Sequence, residues 1–295
     1  MKEKTIFALG FFDGVHLGHQ ALLRACRQLA DRVGCQAGAV TFSSHPDALV
    51  QGGAPVLIQS RDDRNRLLRQ YGMDTVVELP FDKSMMTMPW QAFIRLLTQT
   101  QGAAGFVCGE DFRFGHLGHG SAALLESYCR EENLPCVVVP QQLLDGIPVS
   151  STHIRALLQG GKLTDACRFL GHPYSLTGEV VSGRKLGRTI GIPTANLLPP
   201  AGVLTLPYGV YACKAHTPQG TFSAVTNVGT RPTVQGHHVT VEAWLLDFDA
   251  DLYGQTITLE FDHFLRPEQT FASLEALQQQ IWQDAAQVRR LQGKK

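Results

Sequence analysis

The feature that most constrains this fold is a change of rhythm near residue 160. Before it, short apolar, β-rich runs alternate with helically spaced segments. Thr5–Leu9, Gln36–Phe42, Thr75–Leu79, Phe106–Cys108 and Cys136–Val139 read as strands. Gln20–Ala30, Arg61–Tyr71, Trp90–Leu97 and Ala122–Glu131 read as helices between them. Such alternation specifies βαβ units in a doubly wound parallel sheet, with ligands at the carboxyl ends of the strands. Two short helices follow, Ser151–Leu158 and Leu163–Leu170. Beyond Pro173 the helical spacing stops. Ser175–Val181, Val210–Ala215, Phe222–Asn227, Val239–Leu246 and Gln255–Phe264 read as closely spaced strands separated by turn residues, the pattern of an antiparallel barrel or sandwich. An amphipathic helix over about Leu274–Leu291 closes the chain. The expectation is an α/β domain over residues 1–160, a connecting segment over 161–172, and a β-barrel domain with a terminal helix over 173–295.

Composition supports two packed domains and narrows the partners. Of 295 residues, 44% are apolar and 18% charged, enough for two cores. Lys+Arg and Asp+Glu are both 26, so the net charge is zero. A broad nucleic-acid surface needs an excess of cations, so none is expected. No stretch approaches the ~20 apolar residues of a membrane helix. The opening MKEKTIFALG lacks a signal-peptide core. Seven cysteines carry no C-x-x-C pair and read as reduced thiols of a cytoplasmic protein, a monomer or weak homo-oligomer.

The tetrapeptide HLGH occurs twice. His16-Leu17-Gly18-His19 follows the first expected strand and opens a helix, the usual place for a phosphate. Gly14 and Gly18 allow close approach, and His16 and His19, three apart, share one face. A chain of this composition would show H-x-G-H by chance about 0.04 times, so the signature and its position together exceed coincidence. Ser151, Thr152 and Arg155 in VSSTHIRALL form a second candidate phosphate contact. The second copy, His116-Leu117-Gly118-His119, sits in a long glycine-rich loop with no adjoining helix start, and reads as a pair of solvated histidines. Asp111, with Phe112 and Phe114 just after it, suits a planar heterocycle with hydrogen-bonding edges.

In the C-terminal half, SGRKLGRTIGIPTANL (182–197) combines Gly183, Gly187 and Gly191 with Arg184, Lys185 and Arg188. Glycine-rich basic loops wrap polyphosphates through backbone amides. Thr194 and Asn196 offer neutral oxygens on alternate positions, suited to Mg²⁺ bridging phosphates. Glu242 alternates out of step with Val241 and Ala243, a carboxylate among apolar neighbours and a candidate general base. The acidic run DFDADLYG reads as a turn.

Taken in order, GFFDGVHLGH, GEDFRFG, VSSTHIR, GRKLGRTIGIPTANL, TNVGTRPT, VEAWLLDFDADLYG and FLRPEQTF resemble, nearly end to end, the bacterial bifunctional riboflavin kinase/FMN adenylyltransferase (FAD synthetase) family. The resemblance implies a C-terminal domain that phosphorylates riboflavin to FMN and an N-terminal domain that adenylates FMN to FAD, with ATP and Mg²⁺. It assigns ATP to Gly10, Phe11, Asp13, Gly14, His16, His19, Ser151, Thr152 and Arg155 in the first domain. In the second it assigns ATP to Gly183, Gly187, Arg188, Gly191, Thr194 and Asn196, with the metal on the last two. Flavin falls to Asp111, Phe112 and Phe114, and to Asn227 and Arg266; Glu242 is the base. Two departures bear on flavin affinity: His116 and His119 stand where the family commonly has basic residues, and Ile192 precedes PTAN where Phe is expected. The alternatives are retention of one activity alone, a synthetase-like nucleotidyltransferase with another substrate, or a non-catalytic flavin-binding protein.

Overall fold

The computed structural model describes residues 3–50, 53, 55–183, 187, 191–233 and 236–293, with backbone alone at 231–233 and 236–238. Contacts divide the chain into two compact units, Met1–Leu57 with Arg61–Ser151, and Ile58–Ser60 with Thr152–Lys295.

In the first unit β1 (Thr5–Leu9), α1 (Leu17–Val33), β2 (Gln36–Phe42), α2 (Asp47–Val50), α3 (Arg61–Gln70) and β3 (Thr75–Leu79) follow one another. They are succeeded by α4 (Lys83–Thr87), α5 (Trp90–Gln101), β4 (Ala103–Gly109), β5 (Arg113–Phe114), β6 (Gly120–Ser121), α6 (Ala122–Glu131) and β7 (Cys136–Val139). A small hairpin, β8 (Leu143–Leu144) and β9 (Ile147–Pro148), completes the unit. The main sheet is parallel, in the order β3-β2-β1-β4-β7. Period-two alternation in β1 sends Ile6 and Ala8 to a core with Leu22, Leu23 and Cys26 of α1 and Leu67 and Leu68 of α3. Phe7 and Leu9 go to the other face, against Phe93, Ile94 and Leu97 of α5 and Leu125 of α6. Helices therefore cover both faces, which is what the doubly wound expectation requires.

The second unit takes in Ile58–Ser60 and resumes at Thr152, one residue into α7 (Ser151–Gln159), which α8 (Leu163–Leu170) follows. Six strands then close a barrel: β10 (Tyr174–Val181), β11 (Ala195–Leu198), β12 (Gly209–Thr217), β13 (Gly220–Thr233), β14 (Gly236–Leu245) and β15 (Thr256–Arg266), in the order β10-β11-β14-β13-β12-β15. Five of the six match sequence expectations; β11, inside the PTAN motif, was expected as loop. Closure leaves the main barrel without an unpaired edge. Tyr174, Tyr211 and Phe261 make ring contacts inside it. Residues of opposite parity, Val210, Ala212, Val225, Trp244 and Leu246, pack with Ala285 and Val288 of the terminal helix α9 (Leu274–Gln292). Ser273 caps that helix, accepting from the Ala276 amide.

All seven cysteines are free thiols, four of them buried. Burial pushes Cys26 up to about 11 and Cys108 up to about 12, so neither is a thiolate at neutral pH.

Candidate active sites

Strand order fixes the first site. From central β1 the chain runs outward to β2 and β3, then returns to β4 on the other side. The topological switch therefore lies between β1 and β4, and both HLGH copies sit in the loops leaving those two strands. The two copies differ in backbone.

The loop after β1 is strained. Phe12 has φ 62°, Gly14 82° and Val15 36°, and positive φ at a β-branched residue is a true outlier. Side chains from distant elements hold it. Thr41 Oγ1 donates to the Phe11 carbonyl at 2.9 Å, Gln20 Nε2 to the Val15 carbonyl at 2.9 Å, and Ser151 Oγ to the Asp13 carbonyl at 2.8 Å. The Val15 amide closes a turn on Phe12 at 3.1 Å. These bonds occupy four carbonyls of the loop, those of Phe11, Phe12, Asp13 and Val15.

His16 is the N-cap of α1, with φ −66° and ψ 174°. Its Nδ1 accepts from the His19 amide at 3.3 Å, which assigns the proton of the neutral ring to Nε2. The His16 and His19 rings stack with centroids 3.6 Å apart and planes 15° from parallel. Burial, the neighbouring His16 and the Arg64 cation hold His19 well below the ordinary imidazole range, so it stays neutral. Neutral His19 thus keeps one ring N–H at the helix start.

Ser151 is the first helical residue of α7, and its hydroxyl proton is committed to Asp13. Thr152 and Arg155 lie in the first turn and a half of that helix. The second HLGH is built differently. His116–Gly118 form a 3₁₀ turn with Leu117 at φ 54°, between β5 and β6, and the His116 amide donates to the Met88 carbonyl at 2.7 Å. Gly115 and Gly120 lie so close to Trp90 that a Cβ at either would approach it at 2.6 or 2.8 Å. His116 and His119 are exposed, with ring centroids 6.3 Å apart. Asp111 is exposed nearby, and Phe112 is half-buried, stacked on Phe114 at 5.2 Å. Phe114 itself is only 8% exposed and packs on Trp90 and Phe93 in the core, so it supports Phe112 from beneath.

In the barrel, register assembles the second site. Asn227 of β13 pairs with Glu242 of β14, which pairs with Asn196 of β11. Directly paired residues share a face, so the three form one row on the outer surface, beside Trp244. A cavity of about 360 Å³ beside this row is lined by Gly187, Thr194, Asn227, Glu242, Trp244 and Arg266, under the terminal helix. A second, of about 490 Å³, is lined by Gly191, Thr194, Phe248, Asp249, Asp251 and Tyr253. Thr194 belongs to both, so the cavities meet at its side chain. Asn196 also lines a neighbouring hollow of about 330 Å³ with Ser182 and Thr240. Gly187 and Gly183 make room here. A Cβ on Gly187 would lie 2.1 Å from the Ile192 carbonyl, and one on Gly183 2.5 Å from the Asn196 amide. Arg184, Lys185 and Arg188 lie outside the described residues.

The acidic run read as a turn also lines the larger cavity. Asp251 does make a turn, accepting from the Tyr253 amide at 2.9 Å, but Phe248 and Tyr253 face the space beside Thr194. Arg266 is placed in the smaller cavity while its guanidinium is held bidentately by buried Asp284 of the terminal helix, at 2.8 and 3.1 Å. It also lies over the Phe271 ring. The oxygens of Thr194 and Asn196 are hard, neutral donors, the set that suits a Mg²⁺ ion arriving with a triphosphate. Among the described residues no cluster of three or more His, Cys, Asp or Glu could hold a metal alone.

Such a chain couples a doubly wound parallel sheet carrying H-x-G-H after its first strand to a closed six-stranded barrel with a carboxylate-lined cavity of its own. The FAD synthetase family profile matches residues 1–153 and the riboflavin kinase profile residues 170–292. The bifunctional riboflavin kinase/FMN adenylyltransferase of Haemophilus influenzae is 36% identical over 94% of this chain and 90% of its own length. The enzymes of that name from Escherichia coli K12 and Listeria monocytogenes are 34% and 31% identical, covering 99% and 96% of this chain and 94% and 91% of theirs. A crystal structure described as a macrolide-efflux protein from Streptococcus pneumoniae superposes with a TM-score of 0.88 at 28% identity, over 98% of this chain and 95% of that one. The chain belongs to the bifunctional riboflavin kinase/FMN adenylyltransferase family. Among the described residues no helix is long and apolar enough to cross a membrane.

Proposed function

We propose that the barrel phosphorylates riboflavin to FMN with ATP, and that the parallel-sheet unit adenylates FMN to FAD, releasing pyrophosphate. The observation that carries the reading is the Asn196–Glu242–Asn227 row beside two cavities that meet at Thr194. The larger cavity takes ATP and the smaller the flavin, with Asn227 and Trp244 along its wall. Glu242 accepts the proton of the terminal ribityl hydroxyl as that oxygen attacks the γ-phosphorus, and ADP leaves. Thr194 and Asn196 would hold Mg²⁺, which neutralises phosphate charge when bound. Gly183, Gly187 and Gly191, with Arg188, let the backbone close around the phosphates.

In the first unit the FMN phosphate is already ionised and attacks the α-phosphorus without a base. The need there is stabilisation of charge growing on pyrophosphate. His16 and His19 supply neutral N–H donors, while Gly10, Phe11, Asp13 and Gly14 shape the loop around the nucleotide. Ser151, Thr152 and Arg155 form the second phosphate contact, and Asp111 and Phe112 border the flavin. Substrates are small molecules, the surface suits neither nucleic acid nor membrane, and the enzyme acts in the cytoplasm as a monomer or weak homo-oligomer. Incubation with riboflavin, Mg²⁺ and ATP, followed by separation of the flavins, is expected to yield FMN and then FAD. Absence of both products overturns the reading; FMN alone restricts it to the barrel.

A further inference from the structure

Arg64 is a buried cation that neither fold nor catalysis has so far used. It sits on α3 with a side chain 3% exposed. One guanidinium nitrogen donates to the Phe42 carbonyl at 2.8 Å and to the Glu78 carboxylate at 3.2 Å. Glu78 also meets Arg61 at 3.3 Å, so its charge is shared. The guanidinium lies over the Phe11 ring, 4.5 Å from its centroid, and His45 packs edge-on to the same ring at 4.6 Å. Arg64 Nε is buried with no hydrogen-bond partner among the described residues.

A purely structural position does not favour this residue. Burying a guanidinium costs several kcal/mol of solvation, and well-packed apolar side chains commonly replace buried ion pairs at little cost. An unmatched donor adds to that cost. Arg64 nevertheless stands at the carboxyl ends of β1, β2 and β3, contacting loops or strand ends from each. Its charge also acts on Asp13 in the strained loop and on His19 in the first turn of α1. We propose that Arg64 is a positioning residue for adenylyl transfer: anchored by Glu78 and the Phe42 carbonyl, it braces the Phe11 ring and so fixes the loop carrying Asp13, Gly14 and the His16–His19 pair.

The inference rests on adenylyl transfer occurring at that loop, and the riboflavin kinase reaction on the same molecule provides an independent control. Arg64→Met keeps bulk and removes charge and fork; Arg64→Lys keeps charge; Phe11→Leu removes the ring and leaves the buried charge. Steady-state FAD formation from FMN is measured for each and for the Arg64→Met/Phe11→Leu pair. Misplacing catalytic groups by about 1 Å costs on the order of 10²-fold, so Arg64→Met should lose about that much kcat. KM for ATP should stay within about threefold, because ground-state binding is not what Arg64 supplies. Arg64→Lys should recover at least about tenfold of the lost kcat, riboflavin phosphorylation should be unchanged in all variants, and the pair should be non-additive. Parent-like kcat in Arg64→Met, a loss confined to KM, or additive effects with Phe11→Leu would overturn the proposal. If Arg64→Met does not fold, Arg64→Lys and Phe11→Leu decide it: parent-like kcat in Phe11→Leu rejects it. Failure of the unaltered chain to make FAD would instead reject the functional reading.

Discussion

In the reactions proposed above, Glu242 and His19 do opposite work on one chain, one taking a proton and the other donating a hydrogen bond. Glu242 must take a proton, so Glu242→Gln should slow riboflavin phosphorylation by roughly 10²- to 10⁴-fold, the usual worth of a general base. It should leave conversion of supplied FMN to FAD intact, and flavin separation reads both outcomes at once. His19 must stay neutral and donate, so His19→Ala should stop the sequence at FMN. The same environment has a consequence for stability. Unfolded His19 takes a proton near 6.5, while in the folded chain burial, His16 and Arg64 hold it neutral well below that value. Below about 6.5 the unfolded state therefore binds more protons, and stability falls as pH drops through that value and is unaffected above it. Denaturant unfolding between about pH 7 and pH 5 should show a shallower decline for His19→Gln than for the parent. His116→Ala with His119→Ala should leave FAD synthesis largely unchanged, since those exposed rings share neither the stacking nor the helix start of the first pair.

Elements were more legible than their edges. α1 can be read because one face of it must be buried, and the continuous apolar run Ile6–Leu9 of β1 fits a strand covered on both sides. β11 could not be read that way. Its four residues follow Pro193, a turn signal, and its partners β10 and β14 lie in distant sequence. Arg64 escaped for a related reason. α3 is rich in Arg and Asp and reads as a solvated face, yet Arg64 lies three and four positions before buried Leu67 and Leu68. That spacing was the available signal; only strand order supplies Glu78 beside it. Arg266 reads from the sequence as a flavin contact; its pairing with Asp284 was not legible there, because Asp284 reaches it from a helix eighteen residues on. Breaking this buried pair with Asp284→Ala should cost about 3–5 kcal/mol. Thermal unfolding of the barrel checks it, and Arg266→Met with Asp284→Leu should regain most of the loss.

At the scale of the molecule, each unit carries its own core and its own site. The barrel's strands, cavities and terminal helix all lie after residue 160, so a chain of residues 161–295 should phosphorylate riboflavin and make no FAD. Loss of kinase activity in that piece, with the barrel folded by circular dichroism, would show that the site needs residues outside it. The repeated HLGH is also resolved at this scale. Both copies border the switch between β1 and β4 and both loops carry left-handed backbone, but the helix cap and the stacked ring pair belong to the first alone.

The Asn196–Glu242–Asn227 row exists only because three strands agree on a count. Side chains on a strand alternate, so the catalytic apparatus of the barrel has a parity. One residue added to β14 ahead of Glu242 would turn the carboxylate into the barrel interior with every amino acid of the site still present. Two added there would restore the facing while shifting the row. Natural variation in this strand should therefore come in even steps, and a single-residue insertion should silence the kinase more completely than a double one.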